Sequence, residues 1–510
     1  MTPTAPPLPA PDETEQTVAR LAAAHPEFAA LLAQGVAQST ALTRWGLRCL
    51  HAGQAAEASA AFLAATARRP EHAVSWTNSG IALDQAGRTA EAAACFSRSL
   101  ALAGAQPDVW LLLGLARKKN GDLAGAEAAY RAALQLDPQA AAAWQFLGLL
   151  KDEQHDDQAA IDCLLECLRC GGASAAVCAN LGKLFYQTGD ISRAHDAFTD
   201  AVQLDGATPH FHQMLRKCRF LRDTRDGTAP ADALAAFARA FPADAPCTEA
   251  DARSVLVAAF GILSGFGHLA AAQRVGQHSL DLWPDDPEMT YLLDALRPDA
   301  RLERSPAAYV ARHFDAFAES FDRQLVGRLG YDVPEQIAGL LRQLLAAGAQ
   351  LDVLDAGCGT GLCGPLLRPF ARTLAGVDLA PKMLAHAARR GAYDELACAD
   401  LGEFLEQVPG RYDLVVAADV FIYLGDLAPV VAAATHALRP GGLLVFSTES
   451  VTGDGYRLQA SGRFAHSAAY VRRVAGAAFR EHQCLETTIR LHANTRLPGN
   501  LFVFRRATTA

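Results

Sequence analysis

The sequence Val-Leu-Asp-Ala-Gly-Cys-Gly-Thr-Gly occupies residues 353–361 and is the strongest indication of fold in this chain. An apolar run ends there on Asp355, and the chain then passes through Gly357, Gly359 and Gly361. Glycine tolerates a positive φ and leaves backbone amides open to a ligand. The stretch therefore predicts a strand, a tight turn and a following helix, with a nucleotide-binding notch at the carboxyl end of the strand.

Further apolar segments predict the rest of a parallel sheet, and most of them also end on an acid. They are 374–377 before Asp378, 396–399 before Asp400, 413–418 before Asp419, and 443–447 after a turn at 438–442. Because the carboxyl ends of parallel strands meet at one edge of a sheet, these acids should lie close together. A carboxylate after the second strand suits the hydroxyls of a ribose, and Asp355 could accept from an amino group of the ligand.

The glycine spacing alone leaves two classes of nucleotide-binding protein open. Gly359, Gly361 and Gly364 also fit the GxGxxG spacing of NAD-binding domains. Two predicted C-terminal strands, 486–491 and 501–505, argue against NAD, because a short turn at 497–500 would make them antiparallel neighbours without a crossover helix.

As a set, the glycine turn, the strand-end acids and the Leu-Arg-Pro-Gly-Gly turn resemble class I S-adenosylmethionine (SAM)-dependent methyltransferases over about residues 305–510. The resemblance implies a seven-stranded Rossmann-like domain with SAM as its cofactor. It implies that the three glycines pass under the methionine portion, that Asp378 binds the ribose hydroxyls and that Asp400 meets the adenine amino group. The expected cofactor-binding residues are Asp355, Gly357, Gly359, Gly361, Asp378, Leu379, Asp400, Leu401 and Ala418.

Methyl transfer needs mainly an acceptor lone pair placed in line with the methyl group, and a base only if the acceptor is protonated. Asp419, Tyr423 and His466 are the catalytic candidates, and the sequence does not choose among them. The segments 309–331, 419–427 and 461–470 resemble methyltransferases fused to tetratricopeptide repeats. The aromatic segment 309–331 predicts a helical cover over the cofactor, with core packing as the alternative.

The N-terminal half repeats with a period of 34 residues. The repeating columns are Trp76, Trp110 and Trp144; Gly46, Gly80, Gly114, Gly148 and Gly182; Ala58, Ala92, Ala126, Ala160 and Ala194; and Phe62, Phe96, Tyr130, Leu164 and Phe198. The pattern resembles tetratricopeptide repeats and predicts an α-solenoid. Small columns should mark close helix crossings, and the bulky column should fill the gaps between neighbouring helix pairs.

These patterns divide the chain into four parts. We expect a disordered tail and lead helices over 1–38, five repeats over 39–208, a degenerate repeat with capping helices over 209–300, and the methyltransferase domain over 301–510.

Bulk composition excludes several classes of protein. The net charge is −9 and no long basic run is present, which disfavours a nucleic-acid substrate. No apolar run reaches membrane-spanning length, and 12 cysteines in 510 residues are too sparse for a disulfide scaffold, so a cytoplasmic protein with free thiols is expected. Cys163, Cys167 and Cys170 have the spacing of an iron–sulfur motif, but they fall on a predicted repeat helix, so we expect packing and no metal.

The sequence thus predicts an enzyme that transfers a methyl group from SAM to an unidentified acceptor. Because repeat solenoids bind peptides, the acceptor could be a protein docked on the repeats. Two alternatives stay open. One is a methyltransferase of small carboxylates or acyl groups that uses the solenoid for assembly, and the other is an interaction scaffold with an inactive methyltransferase domain.

Overall fold

The computed structural model describes residues 7–297, 302–319, 321–322, 331–346, 348–492 and 495–508. The chain forms two compact units. The first contains the chain up to Gln187 together with Asp196–Phe211, and the second contains Thr188–His195 together with the chain from His212 onward. Residues 1–6, at the start of the predicted tail, lie outside the described residues.

The N-terminal part is built from consecutive antiparallel helices. They are α1 (Pro11–Ala24), α2 (Pro26–Ala33), α3 (Gln38–His51), α4 (Ala55–Arg68), α5 (Ala73–Gln85), α6 (Thr89–Leu102), α7 (Pro107–Lys119), α8 (Leu123–Leu136), α9 (Ala141–Glu153), α10 (Asp157–Arg169), α11 (Ala175–Gln187) and α12 (Ile191–Leu204). The five pairs from α3–α4 to α11–α12 are the predicted repeats, so the predicted α-solenoid is confirmed. Helices α1 and α2 precede them.

The glycine and bulky columns meet inside each repeat. A Cβ added to Gly46, Gly80, Gly114, Gly148 or Gly182 would come within 3.0 Å of the bulky side chain 16 positions later in the same helix pair. The prediction that the bulky column fills gaps between neighbouring pairs was therefore wrong. Each bulky side chain lies over the glycine of its own pair, where the two helices cross too closely for any Cβ.

The turns inside the repeats place one residue at a positive φ. Gly53, Gly87, Gly121 and Gly189 all have φ between 73° and 81°, and His155 takes the same turn with φ 60°. The tryptophan column has a role that the sequence did not reveal. Each indole N–H donates to the carbonyl six residues earlier, over 2.8 Å for Trp76, 3.1 Å for Trp110 and 3.0 Å for Trp144.

Five helices lead into the catalytic half. They are α13 (Pro209–Arg225), α14 (Pro230–Arg239), α15 (Glu249–Gly265), α16 (Leu269–Leu282) and α17 (Pro287–Ala295). Helices α15 and α16 pack against each other in the region where a degenerate repeat is expected. The Tyr291 hydroxyl on α17 is within 2.7 Å of both Ser305 Oγ and the Gly462 carbonyl, so α17 packs against the catalytic half within the second unit.

A single mixed sheet forms the centre of the catalytic half. Its elements are α18 (Ala307–Phe317), α19 (Val333–Leu344), β1 (Leu351–Ala356), α20 (Gly364–Leu367), β2 (Ala371–Asp378), α21 (Pro381–Arg389), β3 (Glu395–Cys398), α22 (Leu401–Glu406), β4 (Tyr412–Ala417), α23 (Ala428–Ala437), β5 (Leu438–Ser450), β6 (Tyr456–Leu458), β7 (Phe464–His466), α24 (Ala468–Ala475), β8 (Phe479–His492) and β9 (Thr495–Arg506).

The strand order is β3-β2-β1-β4-β5-β9-β8, with β1 to β5 parallel and with β9 antiparallel to both β5 and β8. This order confirms the predicted seven-stranded Rossmann-like arrangement. The small hairpin β6–β7, which was not predicted, pairs with the end of β5.

Two predicted turns are placed differently in the structure. Residues 497–500 lie within β9 and pair with β8 and β5, so the hairpin reverses between His492 and Thr495, outside the described residues. Residues 438–442, predicted as a turn, lie at the start of β5, where the register against β4 shifts beside Asp413. Gly441 has φ 81° there, which a bulge in a strand favours.

Alternate residues of each central strand are buried on opposite faces of the sheet. Leu354 and Phe446 belong to one apolar cluster, whereas their neighbours Val353 and Val445 belong to the other. Burial on both faces is typical of a sheet covered by crossover helices, and it leaves the carboxyl edge of the strands as the place for a ligand. Among the described residues, no helix has the length and apolar character needed to cross a bilayer.

Candidate functional site

A cavity of about 480 Å³ opens at the carboxyl edge of β1 to β4. Its size falls within the range of small-molecule sites. The turn after β1 and the ends of β2, β3 and β4 form its floor, and α18 covers it with His313, Phe314 and Phe317. Of the predicted site residues, the cavity wall contains Gly357, Gly359, Asp378, Leu379, Asp400, Leu401, Ala418, Asp419 and Tyr423. Helix α18 thus covers the cavity, as predicted for its part of the segment 309–331, whereas residues 320 and 323–330 of that segment lie outside the described residues.

The glycine turn offers one open backbone surface to the cavity. Gly357, Gly359 and Gly361 have φ of 72°, 54° and 84°, which only glycine adopts without strain. A Cβ at Gly357 would meet Val420, and a Cβ at Gly361 would meet Tyr393 and Ala387. A Cβ at Gly359 would meet nothing within 4 Å. Gly359 is therefore the glycine of this turn against which a ligand can lie.

Asp378 is tied to that glycine. Its carboxylate accepts from the Gly359 amide over 2.8 Å and from the Ala380 amide over 2.9 Å. Burial raises the pKa of Asp378, and these backbone hydrogen bonds oppose the rise. The end of β2 thus holds a carboxylate in a fixed orientation on the cavity wall, as the ribose interpretation requires.

Both carboxylate oxygens of Asp400 already accept hydrogen bonds within the protein, which the sequence did not indicate. Its Oδ1 caps α22 by accepting from the Gly402 amide over 2.9 Å, and its Oδ2 accepts from Arg304 over 2.5 Å. Burial works to raise the pKa of Asp400, but Arg304 and the cap amides lower it overall. A hydrogen bond from Asp400 to an adenine amino group would have to compete with Arg304, which also lines the cavity.

Two predicted cofactor residues are not on the cavity wall. Asp355 is 1 % exposed, and its carboxyl accepts from the Tyr393 hydroxyl over 2.6 Å. The expectation that Asp355 meets an amino group of the ligand is corrected for this reason: its side chain points into the core beside Tyr393. Gly361 packs against the same tyrosine, so Asp355 and Gly361 support the turn from behind.

The burial of Asp355 gives stability a specific dependence on pH. Burial raises the pKa of Asp355 to about 7, with Tyr393 opposing and Asp378 adding to the rise. A carboxyl whose folded pKa exceeds its unfolded pKa stabilises the fold at low pH and loses that contribution as the pH rises through the folded pKa. Relative to an Asp355→Asn variant, the wild type should therefore lose about 2–3 kcal/mol between pH 5 and pH 8.

Chemical denaturation of the two proteins at both pH values measures this difference. Asp352→Asn is the matched control, because Arg372 lowers the pKa of Asp352 and its contribution should not change between pH 5 and pH 8. An identical pH dependence in wild type and Asp355→Asn would contradict the assignment.

Asp419 also lines the cavity and has an unusual backbone conformation. Its φ is 60°, its amide donates to Ser447 Oγ over 2.8 Å, and its Oδ2 accepts from Arg490 over 2.6 Å. Its Oδ1 is buried and has no hydrogen-bond partner. Strained non-glycine residues with unsatisfied polar atoms are typical of ligand sites.

Arg490 links two acids at this wall. It is 2 % exposed and pairs with Asp419 and with Glu449, which is also buried. Burial raises the pKa of Glu449, and the charges of Arg490 and Arg463 oppose that rise. The positive charge of Arg490 therefore stabilises the two carboxylates, those of Asp419 and Glu449.

Tyr423 lies between the cover and the back wall. Its ring contacts Phe314 edge-on at 5.5 Å, and its carbonyl accepts from the Ser305 amide over 2.8 Å. Arg463 lies near Tyr423 and lines the same cavity. Tyr423 thus stays a candidate for contact with an acceptor.

His466 does not join Asp419 and Tyr423 in the cavity. It is completely buried, its Nε2 lies 3.1 Å from the Gly425 carbonyl, and it packs against Tyr456 and Tyr470. Burial lowers its pKa to about 4, despite opposing hydrogen bonds to backbone carbonyls. The prediction of a substrate-pocket role for His466 is corrected accordingly: Arg463, just before β7, lines the cavity, whereas His466 does not.

Several residues on or behind the wall were missed by sequence reasoning. Arg490 falls inside the predicted strand 486–491. A single charged residue in an alternating strand is usually exposed, so its burial was not expected. Arg463 lies in the segment 461–470, where no separate role was predicted for it. Tyr393 follows a helix in a segment without a motif. Only the charge of Arg490 within a buried strand was a signal that could have been used.

The three cysteines of the iron–sulfur-like spacing lie in the fourth repeat. Cys163 and Cys167 are buried on α10, and Cys170 follows its end. Within the described ranges, no group of three or more His, Cys, Asp or Glu side chains is arranged to hold a metal ion.

Comparison with known proteins identifies both halves. A family model described as a methyltransferase domain matches residues 354–444, and one described as a tetratricopeptide repeat matches residues 107–150. A malonyl-[acyl-carrier protein] O-methyltransferase of Acetivibrio thermocellus is 33 % identical over 27 % of this chain and 46 % of its own length. A ubiquinone biosynthesis O-methyltransferase of Bordetella avium is 27 % identical over 31 % of this chain and 67 % of its own length. The chain thus spans less than half of the first relative.

Two solved structures are similar to parts of the chain. Magnesium protoporphyrin IX methyltransferase of Synechocystis with bound SAM has a TM-score of 0.31 at 21 % identity, over 39 % of this chain and 97 % of that one. The MamA protein has a TM-score of 0.31 at 18 % identity, over 33 % of this chain and 92 % of that one. The two family models confirm the resemblance noted above: the chain carries tetratricopeptide repeats in its N-terminal half and a SAM-dependent methyltransferase domain in its C-terminal half.

Proposed function

We propose that this protein binds SAM in the cavity at the carboxyl edge of the sheet and transfers its methyl group to an acceptor. One observation carries the proposal: the open backbone of Gly359 and the carboxylate of Asp378 are joined by a hydrogen bond and face the same cavity. A bare glycine surface beside a strand-end carboxylate suits a nucleoside whose sugar presents a diol.

The residues present fit this cofactor. Gly357 and Gly359 would lie against its methionine portion, Asp378 would accept from the ribose hydroxyls, and Leu379 and Leu401 would flank the adenine. Asp400 would reach the adenine amino group only where Arg304 yields one carboxylate oxygen. When bound, SAM supplies a methyl group on a sulfonium, which is a strong leaving group.

The chain's own groups then have to place the acceptor and exclude water. Phe314 and Phe317 on α18 cover the cavity, and Tyr423 and Asp419 face the space below them. His313 is buried with a pKa lowered to about 4, first by burial and then by the charge of Arg463, so it stays neutral near pH 7. The wall therefore positions an acceptor more readily than it deprotonates one.

The proposal extends to the repeats. The relatives are named as methyltransferases of malonyl-[acyl-carrier protein] and of ubiquinone biosynthesis, which supports a small-molecule or carrier-bound acceptor. Tetratricopeptide repeats support a protein partner, either as the substrate or as its carrier. Incubation of the protein with methyl-labelled SAM and fractionated cell extract would separate these acceptors from an inactive scaffold.

Removing the strand-end carboxylate should weaken the cofactor. Asp378→Ala is expected to cost about 1–3 kcal/mol of SAM binding, the scale of lost charge-assisted hydrogen bonds. Asp378→Asn, which keeps an acceptor for the Gly359 amide, should lose less. Isothermal titration with SAM gives both values.

Asp394→Ala is the matched control for this measurement. Asp394 also accepts from a backbone amide of β2, that of Leu374 over 2.8 Å, but it does not line the cavity. Its variant should bind SAM like the wild type. Equal affinities of wild type and Asp378→Ala would remove Asp378 from the binding site.

A further inference from the structure

Arg463 stands out among the cations of the cavity because it has no ion pair. Arg304 pairs with Asp400, and Arg490 pairs with Asp419 and Glu449. In the described part of the chain, the Arg463 guanidinium forms no ion pair with a carboxylate, although Tyr423, Glu449 and Asp419 lie near it. Burial works to lower its pKa, and Tyr423, Glu449 and Asp419 together hold it above the ordinary value. The guanidinium is therefore charged and half-buried, and it lines the cavity without a direct ion pair.

A guanidinium without a direct carboxylate partner keeps its donors free for a ligand of opposite charge. Arg463 lies on the cavity wall just before β7, and aromatic side chains of α18 line the same cavity. Its backbone is held by a hydrogen bond, since the Arg463 carbonyl accepts from the Gln459 amide over 2.8 Å. A guanidinium on a backbone held in this way presents a planar set of donors that matches a carboxylate.

The other features of this wall narrow the ligand class. Phe314, Phe317 and Tyr423 form an apolar surface next to Arg463, which suits a hydrocarbon or aromatic body. One unpaired cation balances a singly charged group better than a phosphate dianion. Asp419 and Glu449 pair directly with Arg490, so Arg463 is the guanidinium of this wall whose donors are free to meet a ligand.

Resting on the proposed function, we propose that the methyl acceptor is an organic carboxylate with an apolar or aromatic body, held through its carboxylate by Arg463. The carboxylate comes either from a free organic acid or from an acidic side chain or C-terminus of a docked protein. Both sources present the same group to Arg463. The cationic sulfonium of the cofactor adds a positive charge to the same cavity, which further favours an anionic acceptor.

Binding of simple probes tests the proposal. The wild-type chain, saturated with S-adenosylhomocysteine, is titrated with benzoate and hexanoate and with their neutral amides, benzamide and hexanamide. At least one acid should bind about tenfold or more tightly than its amide, the scale of a charge-assisted pair. Arg463→Gln should abolish this difference, and Arg463→Lys, which keeps the charge without the planar donors, should retain part of it.

Arg457→Gln is the matched control. Arg457 is an exposed residue on β6 of the same hairpin and does not line the cavity, so its variant should keep the preference for the acid. Absence of S-adenosylhomocysteine binding to the wild type would overturn the proposed function and this inference together. Normal S-adenosylhomocysteine binding with no preference for either acid, or with a preference that survives Arg463→Gln, would overturn the inference alone.

A second arm identifies the source of the carboxylate. Extract is divided into low-mass and protein fractions, and each is offered with and without prior amidation of its carboxyl groups. Methyl label in the low-mass fraction indicates a free organic acid, and label in the protein fraction indicates a carboxylate on a protein. In either fraction, amidation should reduce the label at least tenfold or so, and label that survives amidation undiminished would overturn the inference.

Discussion

Gly359→Val is expected to abolish SAM binding while the domain stays folded, with a loss of about 100-fold or more in affinity, or roughly 3 kcal/mol. The reason is the open space at this position. A Cβ at Gly359 would meet nothing within 4 Å, so the first atom of an added side chain has open space on the cavity side of the turn. The valine side chain would occupy the surface against which the cofactor lies. Titration calorimetry with SAM measures the effect.

The control for this substitution must carry the same backbone strain. Gly410 has φ 58°, close to the 54° of Gly359, and a Cβ there also meets nothing within 4 Å. It lies in the exposed turn before β4, away from the cavity. Gly410→Val should therefore lose a similar amount of stability and keep its SAM affinity. If both variants bind SAM like the wild type, the glycine turn is not the cofactor site.

The sequence predicted the features that depend on local patterns. Period-34 columns led to the helix pairs, because a glycine that must lie under a bulky side chain recurs in every repeat. Apolar runs that end on acids led to the parallel strands and to Asp378 and Asp419 on one cavity wall. In each case the physical cause acts within a few residues or within one repeating unit.

The failures have a common physical cause as well. Arg463 lies just before the short strand β7 and His466 is its last residue, and β7 pairs with the end of β5 and with β6. Which of the two faces the cavity depends on that pairing, which the local sequence does not determine. Asp355 was assigned to the ligand because of its place beside the glycine turn. The hydroxyl that engages it comes from Tyr393, 38 residues later.

Arg490→Met is expected to destabilise the sheet by about 3–5 kcal/mol, the usual cost of removing one partner from a buried ion pair. Arg490 and Glu449 are each 2 % exposed, and Asp419 is also largely buried. Without the guanidinium, the carboxylates of Asp419 and Glu449 lose the cation that pairs with both of them. Hydrogen exchange of the β5 and β9 amides measures the loss locally, where the transitions of the repeats do not interfere.

The pH dependence and the control distinguish this cause from simple loss of packing. Burial already raises the pKa of Glu449, and loss of Arg490 removes the charge that opposes that rise. A raised folded pKa stabilises at low pH and loses its contribution as the pH increases, so the penalty of Arg490→Met should be smaller at pH 5 than at pH 8. Glu449→Gln in the same background should recover part of that penalty.

Arg372→Met is the control, since it breaks the pair of Arg372 with Asp352. The Arg372 side chain is 56 % exposed, so the loss should cost at most about 1 kcal/mol. An equal penalty at both pH values, with no recovery by Glu449→Gln, would mean that Arg490 acts by filling space, because the charge of the two acids would then be irrelevant to the fold.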